Sequence, residues 1–116
     1  MGGKLSRTKG HSYEREIAKK FRHLYPKSKR MLEYQLEDCN GVDVIAGPFS
    51  IQCKRYKDYA PISKIEEIKA PSQQIHALVT KGDRKEDIIC LKLRDFLDIL
   101  EDIGVAFEGS KLGNDK

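Results

Sequence analysis

Three polar residues within GVDVIAGPFSIQCK (41–54) are of types that bind metal ions and phosphates. The apolar runs on either side of the Gly-Pro dipeptide at 47–48 predict a β-hairpin, because this dipeptide favours a turn. If the two strands pair symmetrically about the turn, Asp43 lies opposite Gln52, and opposed side chains share one face of a sheet. Lys54 shares that face because side chains alternate along a strand. The hairpin is therefore expected to present a carboxylate, an amide and an ammonium group together.

This combination of groups suits metal-dependent hydrolysis of a phosphodiester. Asp43 would bind Mg²⁺ or Mn²⁺ through a hard oxygen, and Gln52 would offer a neutral carbonyl oxygen to the same ion. Lys54 would orient the attacking water and offset the charge that develops in the transition state. The alternative for the same residues is a polar sheet face with an incidental Asp–Lys pair.

The first predicted helix carries a glutamate on its apolar side. At about 100° per residue, the apolar side chains of this helix occupy an arc of about 140°, formed by Tyr13, Ile17, Ala18, Phe21, Leu24 and Tyr25. Glu14 falls inside that arc, and a carboxylate pointing towards a sheet is costly unless it is paired, hydrogen-bonded or bound to a metal. We therefore predict Glu14 as a further metal ligand. The alternatives are a favourable place near the helix start or a pair with an arginine at the edge of the core.

A sheet and helices must hold these side chains, and the sequence pattern predicts both. Ser12 is expected to cap a helix that continues to about Tyr25, before Pro26. A second helix is expected to begin near Ser63, which fits a capping box with Glu66. Strands are predicted over 30–37, 42–46, 49–54, 75–80 and 87–93, and a last helix over 94–103. The order of elements predicts an α/β fold with a central mixed β-sheet flanked by helices.

Length and composition favour one soluble domain. The chain has 116 residues, of which 39% are hydrophobic and 34% charged, and no apolar run is long enough to cross a bilayer. Its three cysteines include no C-x-x-C pair, which argues against a disulfide framework or a zinc ribbon. We expect a cytoplasmic protein with a flexible basic arm over 1–10, a nuclease domain over 11–104 and a disordered tail over 105–116.

Positive charge is concentrated near the N-terminus. The net charge of the whole chain is +4, whereas residues 1–30 contain ten Lys/Arg and two acids, a net of +8. Such a segment could neutralise several phosphates and release their counterions, which favours nucleic-acid binding. The alternative is an ordinary solvated charged surface.

At these residues the sequence resembles the PD-(D/E)xK nuclease superfamily. The segment KGHSYERE (9–16) is similar to the KG-x-x-x-E-R opening of archaeal-type Holliday junction resolvases, including phage-encoded relatives. The segment GVDVIAGPFSIQCKRYK (41–57) resembles the motif that carries Asp and (E/Q)-x-K on adjacent strands. The resemblance implies a restriction-endonuclease-like fold and an endonuclease that depends on Mg²⁺ or Mn²⁺. By position, Glu14, Asp43 and Lys54 match the family's helix glutamate, metal-binding aspartate and lysine.

Gln52 stands where resolvases usually have glutamate, so the metal site predicted from Glu14, Asp43 and Gln52 carries one negative charge fewer. A glutamine occurs at this place in Mrr-type restriction nucleases, whose V-Q-x-K-R-Y segment is similar to IQCKRY (51–56). The leading prediction is a resolvase that cuts four-way junctions, because a stand-alone core of this size suits a structure-selective enzyme. The alternatives are an Mrr-like duplex endonuclease and a catalytically inactive junction- or DNA-binding module.

The resemblance also implies branched DNA and a second copy of the chain as partners. Two active sites must cut symmetric strands of a junction, and a homodimer with twofold symmetry provides them. The apolar last helix is a candidate for the dimer interface. Candidate phosphate contacts, which would position DNA without reading its bases, are Lys9, Arg15, Arg30 and Arg55.

Overall fold

A five-stranded sheet with flanking helices forms the framework of the chain. The computed structural model describes residues 2–31, 41–70 and 74–107, with the backbone alone for 2–10 and 104–107. In chain order the elements are α1 (Gly2–Phe21), β1 (Lys29–Arg30), β2 (Val44–Ala46), β3 (Phe49–Arg55), the 3₁₀-helix η1 (Ile62–Glu67), β4 (Ile75–Lys81), β5 (Ile88–Leu91) and α2 (Leu93–Phe107).

The sheet is mixed, with the strand order β1-β2-β3-β4-β5. Strands β3 and β4 run parallel, and the other three neighbouring pairs are antiparallel. The crossover between the two parallel strands contains η1. This arrangement confirms the predicted α/β class with a mixed sheet flanked by helices.

Two apolar clusters cover the two faces of the sheet. One joins α1 to the strands, and its buried members are Tyr13, Ile17, Ala18, Val44, Ala46, Ile51, Cys53, Ala77 and Val79. The other joins η1 to the strands, and its buried members are Val42, Ile65, Ile68 and Leu78. Because burial of apolar surface drives this packing, α1 and η1 are held on opposite faces of β3.

The predicted limits of the first helix are wrong at both ends. Helix α1 begins at Gly2 instead of Ser12, so residues 2–10 of the predicted arm are helical, and it ends at Phe21 instead of Tyr25. Because the helix stops there, Leu24 leaves the predicted apolar arc and is 78% exposed. The inward positions of the arc before that point are as predicted.

The helix predicted near Ser63 is a short 3₁₀-helix, and its capping box does not form. Pro61 occupies the N-cap, and no side chain caps the first turn through a hydrogen bond. The last helix, Leu93–Phe107, begins one residue before the predicted start and continues past the predicted end. Residues 105–107, predicted as part of a tail, are therefore helical.

Some predictions fall outside the described residues. Strand β1 spans Lys29–Arg30, so it begins one residue before the strand predicted over 30–37 and does not include Met31. Positions 32–37 of that prediction, with most of the turn that follows, lie outside the described residues. The predicted tail beyond 107 also lies outside the described residues. None of the described helices combines the length and the apolar character that crossing a bilayer requires.

Candidate active site

The hairpin of β2 and β3 has the register that the sequence predicts. Val44 pairs with Ile51 and Ala46 with Phe49, so the strands are symmetric about the turn. Gly47 in the turn adopts a φ of +55°, a left-handed conformation that glycine tolerates without a steric penalty. Because Val44 and Ile51 pack on the α1 side, the alternate residues of β3 face the opposite side.

Asp43 lies one residue before β2, where the two strands of the hairpin begin to separate. Its main-chain N–H donates to the carbonyl oxygen of Ile51 at 2.7 Å. Its side-chain Oδ2 accepts a hydrogen bond from the main-chain N–H of Cys53 at 2.8 Å. The pairing of the strands starts at Val44, so the predicted pairing of Asp43 with Gln52 is wrong. The Asp43 carboxylate caps the end of the ladder instead.

The surroundings of Asp43 combine burial with charges of both signs. Burial raises the pKa of Asp43 to about 6, and the hydrogen bond from Cys53 opposes that rise. The Glu14 carboxylate raises the pKa further, whereas Lys54 and Arg30 lower it. Glu14, Asp43 and Lys54 are therefore close enough to interact electrostatically, and Arg30 joins them.

Glu14 reaches this group from α1 and is held by an arginine. Its Oε1 accepts a hydrogen bond from Nε of Arg30 at 3.2 Å, and the two side chains are 14% and 19% exposed. This is the arginine pair that the sequence offered as the alternative to metal binding. This contact engages Oε1, and a carboxylate has a second oxygen that can accept from another ligand.

A second anchor fixes the part of α1 that carries Glu14. The hydroxyl of Tyr13 donates to Oδ1 of Asp87 at 2.8 Å, and Nζ of Lys20 donates to Oδ2 of the same residue at 2.8 Å. Because Asp87 directly precedes β5, these bonds tie α1 to the far end of the sheet. The position of Glu14 is thereby set by its neighbours on both sides of the helix.

Gln52 approaches from the other side of β3. Its side chain is 3% exposed, and its Nε2 donates to Oε1 of Glu67 at 3.2 Å. The other end of the amide, Oε1, is buried and has no hydrogen-bond partner among the described residues. A buried carbonyl oxygen without a partner is costly, and a bound cation would satisfy it.

Lys54 connects the two sides of the site. It is two residues beyond Gln52, so the two share a face of β3. Its positive charge lowers the pKa of both Asp43 and Glu67. The ammonium group therefore acts on the carboxylate just before β2 and on the carboxylate at the end of η1.

Glu67 belongs to this neighbourhood, and sequence analysis missed it. The predicted helix around it showed isoleucines at a spacing of three, and an acid on such a segment looks like an ordinary surface residue. The contact with Gln52 joins two segments that are 15 residues apart, and no local pattern signals it. Only the packing of η1 on the sheet brings the two side chains together.

The predicted metal-ligand set contains two acids and one amide. Within residues 2–31, 41–70 and 74–107, no group of three or more His, Cys, Asp and Glu side chains is placed to hold a metal ion. Glu14 lies on the α1 side and Gln52 on the η1 side, with Asp43 at the strand end. Convergence of these three on one ion stays a prediction. The oxygen of Gln52 that has no partner among the described residues is the observation that fits such an ion.

The predicted phosphate contacts have different surroundings. Arg15 is exposed, whereas Arg30 is engaged with Glu14. Arg55 lies 3.8 Å from Oδ1 of Asp83, measured from its Nη2. The structure gives only the backbone of Lys9. Arg15 is thus the most accessible of the described candidates.

Comparison with models of protein families, with curated proteins and with solved structures finds no match for the chain. The chemistry of the site therefore rests on its own groups. These are an aspartate next to a strand, a second acid and a lysine close by, and an amide oxygen that lacks a partner in the part of the chain that the structure describes.

Proposed function

We propose that the protein is a metal-dependent DNA endonuclease with a restriction-endonuclease-like fold. The observation that carries the proposal is the group formed by Asp43, Glu14 and Lys54 around the end of the β2–β3 hairpin. Acids beside a lysine at diverging strand ends suit phosphodiester hydrolysis, because the acids attract a divalent ion and the lysine attracts a phosphate. The cytoplasm is the proposed location, since DNA is the proposed substrate.

Mg²⁺ or Mn²⁺ would be held by Asp43, Gln52 and Glu14. When bound, the ion supplies Lewis-acid stabilisation of the charge on the phosphate oxygens. The fit rests on the buried Oε1 of Gln52, which lacks a partner among the described residues. It rests also on Asp43, whose pKa of about 6 leaves it mostly ionised at neutral pH, as a metal ligand must be.

The chain's own residues supply the remaining parts of the reaction. Lys54 brings a positive charge to the Asp43 carboxylate, where it would neutralise a phosphate oxygen in the transition state. Arg30 holds the Glu14 carboxylate through its Nε, which limits the orientations that this acid can adopt. The Cys53 N–H holds Asp43 in the same way. Such preorganisation keeps the charged groups in place before the substrate arrives.

Four-way junctions are the proposed substrate, and a second copy of this chain is the proposed partner. Strand β5 and helix α2 carry exposed apolar side chains, and these are Ile88, Ile89, Leu93, Phe96, Leu97, Leu100 and Ile103. Ile89, Leu93 and Phe96 line one shared pocket, and an exposed apolar patch marks an interaction site in many proteins. A homodimer with twofold symmetry would cover it and would present two active sites to the two strands that must be cut.

A cleavage assay on a four-way junction and on matched linear duplex tests the proposal. We expect cutting near the branch point that requires added Mg²⁺ or Mn²⁺, with the linear duplex left intact. Asp43→Ala and Lys54→Ala should abolish cleavage while junction binding persists, and Asp98→Ala on exposed α2 serves as the matched control.

The same assay separates the other candidates. Equal cutting of linear duplex would favour the Mrr-like nuclease, which the segment IQCKRY (51–56) resembles. Junction binding without cleavage under any metal condition would favour the inactive binding module. Either result would contradict the proposed resolvase.

A further inference from the structure

Glu67 is held beside the candidate active site by its side chain and by its backbone. Its Oε1 accepts from Nε2 of Gln52 at 3.2 Å, and its Oε2 accepts from Nζ of Lys64 at 2.9 Å. Gly41, which leads into Asp43, has a φ of +78°, and a Cβ at this position would overlap the carbonyl oxygen of Glu67. The glycine therefore lets the loop before Asp43 pack directly on the end of η1.

The amide of Gln52 has two chemically different ends, and Glu67 decides which end stays free. An amide nitrogen donates hydrogen bonds and an amide oxygen accepts them, whereas an ionised carboxylate only accepts. The hydrogen bonds from Lys64 and Gln52 lower the pKa of Glu67, so its carboxylate is ionised at neutral pH. Only Nε2 can bond to it, which leaves Oε1 of Gln52 as the buried atom without a described partner.

The opposite orientation of the amide would be unfavourable at both ends. It would place Oε1 of Gln52 against the carboxylate of Glu67, and it would point N–H donors at the place proposed for a cation. Both oxygens of Glu67 already accept hydrogen bonds, which favours a supporting role over direct metal binding.

We propose that Glu67 is a positioning residue, whose carboxylate holds the Gln52 amide so that Oε1 faces the divalent ion. This role rests on the proposed function, because it requires Gln52 to be a ligand. It also explains how glutamine can serve at a place where the resembled resolvases usually have glutamate, since a carboxylate has two equivalent oxygens and needs no such orientation.

Mn²⁺ binding to the full chain without DNA tests this role, with free Mn²⁺ measured by electron paramagnetic resonance. We expect Glu67→Ala to raise the Mn²⁺ dissociation constant about 10- to 100-fold, the usual cost of losing a residue that orients a metal ligand. Glu66→Ala is the matched control, because Glu66 is an exposed acid on the same 3₁₀-helix, and its dissociation constant should equal that of the wild type.

A second background separates positioning from direct ligation. In Gln52→Glu the ligand no longer needs to be oriented, and Glu67 becomes a like charge beside it. Adding Glu67→Ala to this variant should leave Mn²⁺ binding unchanged or make it tighter. If Glu67→Ala weakened Mn²⁺ binding equally in the wild-type and the Gln52→Glu backgrounds, the positioning role would be overturned. A direct ligand contributes to binding in both backgrounds.

A readout without metal comes from the side-chain NH₂ resonances of Gln52 in ¹⁵N spectra. These should shift in Glu67→Ala and stay in place in Glu66→Ala. Because Glu67 is exposed, its truncation should leave the fold intact, which a melting curve checks, and Glu67→Ser provides a second truncation.

Failure of the positioning role can be distinguished from failure of the proposed function. If the wild type binds Mn²⁺ and Glu67→Ala binds it equally well, the positioning role is overturned while the proposed function stands. If the folded wild type binds no Mn²⁺ and cuts no DNA, the proposed function and the positioning role are overturned together.

Discussion

Asp43→Asn should make the metal-free protein more stable while it removes cleavage. The Asp43 carboxylate is partly buried and its pKa is raised from 3.8 to about 6. Each pH unit corresponds to about 1.4 kcal/mol, so ionising this group in the fold costs about 3 kcal/mol. Asparagine keeps the shape and an oxygen that can accept from the Cys53 N–H, but it carries no charge. We expect a gain of about 1–3 kcal/mol in the free energy of unfolding at pH 7.

The sign and the pH window follow from the direction of the shift. Below pH 3.8 the carboxyl is protonated in both the folded and the unfolded state, so it contributes nothing to the difference from asparagine. Between pH 3.8 and about 6 the carboxyl ionises in the unfolded state while the fold keeps it protonated, so the wild type loses stability relative to Asp43→Asn as the pH rises. The difference between the two proteins should therefore grow between about pH 4 and pH 6 and stay constant above.

Urea denaturation in EDTA, from pH 4 to pH 8, measures this difference. Asp58→Asn is the matched control with the opposite sign, because the hydrogen bond from Lys85 lowers the pKa of the exposed Asp58 carboxyl. The reasoning is refuted if Asp43→Asn is less stable than the wild type at pH 7, or if the difference does not change between pH 4 and pH 6. Added Mg²⁺ should stabilise the wild type but not Asp43→Asn.

Three further variants test the loop before Asp43, the lysine of the site and the apolar surface of α2. Gly41→Ala should cost more than about 1 kcal/mol in urea denaturation, because φ is +78° and the new Cβ would overlap the backbone of Glu67. Lys54→Met should abolish junction cleavage in a gel assay and leave binding in a mobility-shift assay, because only the charge at the reacting phosphate is lost. Leu97→Glu with Leu100→Glu, both exposed on α2, should convert a dimer to a monomer in analytical ultracentrifugation.

Each of these predictions has a contradicting outcome. Wild-type stability in Gly41→Ala would show that the loop before Asp43 does not depend on its contact with η1. Full cleavage by Lys54→Met would show that the Lys54 ammonium group is not needed for cleavage. An unchanged sedimentation coefficient in the α2 variant would place the dimer contact elsewhere, and Asp98→Lys on the same helix serves as its charge control.

The register of the hairpin could be predicted because alternation and the turn allow few choices. A shift of one residue would have turned Val44 and Ile51 away from α1, so the apolar pattern fixed the pairing. What alternation does not reveal is where a ladder ends. The side-chain Oδ2 of Asp43 accepts the hydrogen bond from the Cys53 N–H. The regular pairing of β2 and β3 therefore stops at Val44, next to the candidate site.

The helices were harder to place from the sequence. The glycines at 2–3 have low helix propensity, so they suggested an arm where α1 begins. The isoleucines at 62, 65 and 68 are spaced by three, which fits the 3.0 residues per turn of a 3₁₀-helix better than an α-helix. The contact between Gln52 and Glu67 depends on tertiary packing alone, so no local sequence pattern predicts it.

The most direct test of the central claim is diffraction from crystals soaked in Mn²⁺, with the ion located by its anomalous signal. The account predicts one strong site at the end of the β2–β3 hairpin, with the oxygens of Asp43 and Gln52 in direct coordination and Glu14 bound directly or through water. An ion bound away from Asp43, or crystals that stay metal-free at millimolar Mn²⁺, would contradict it.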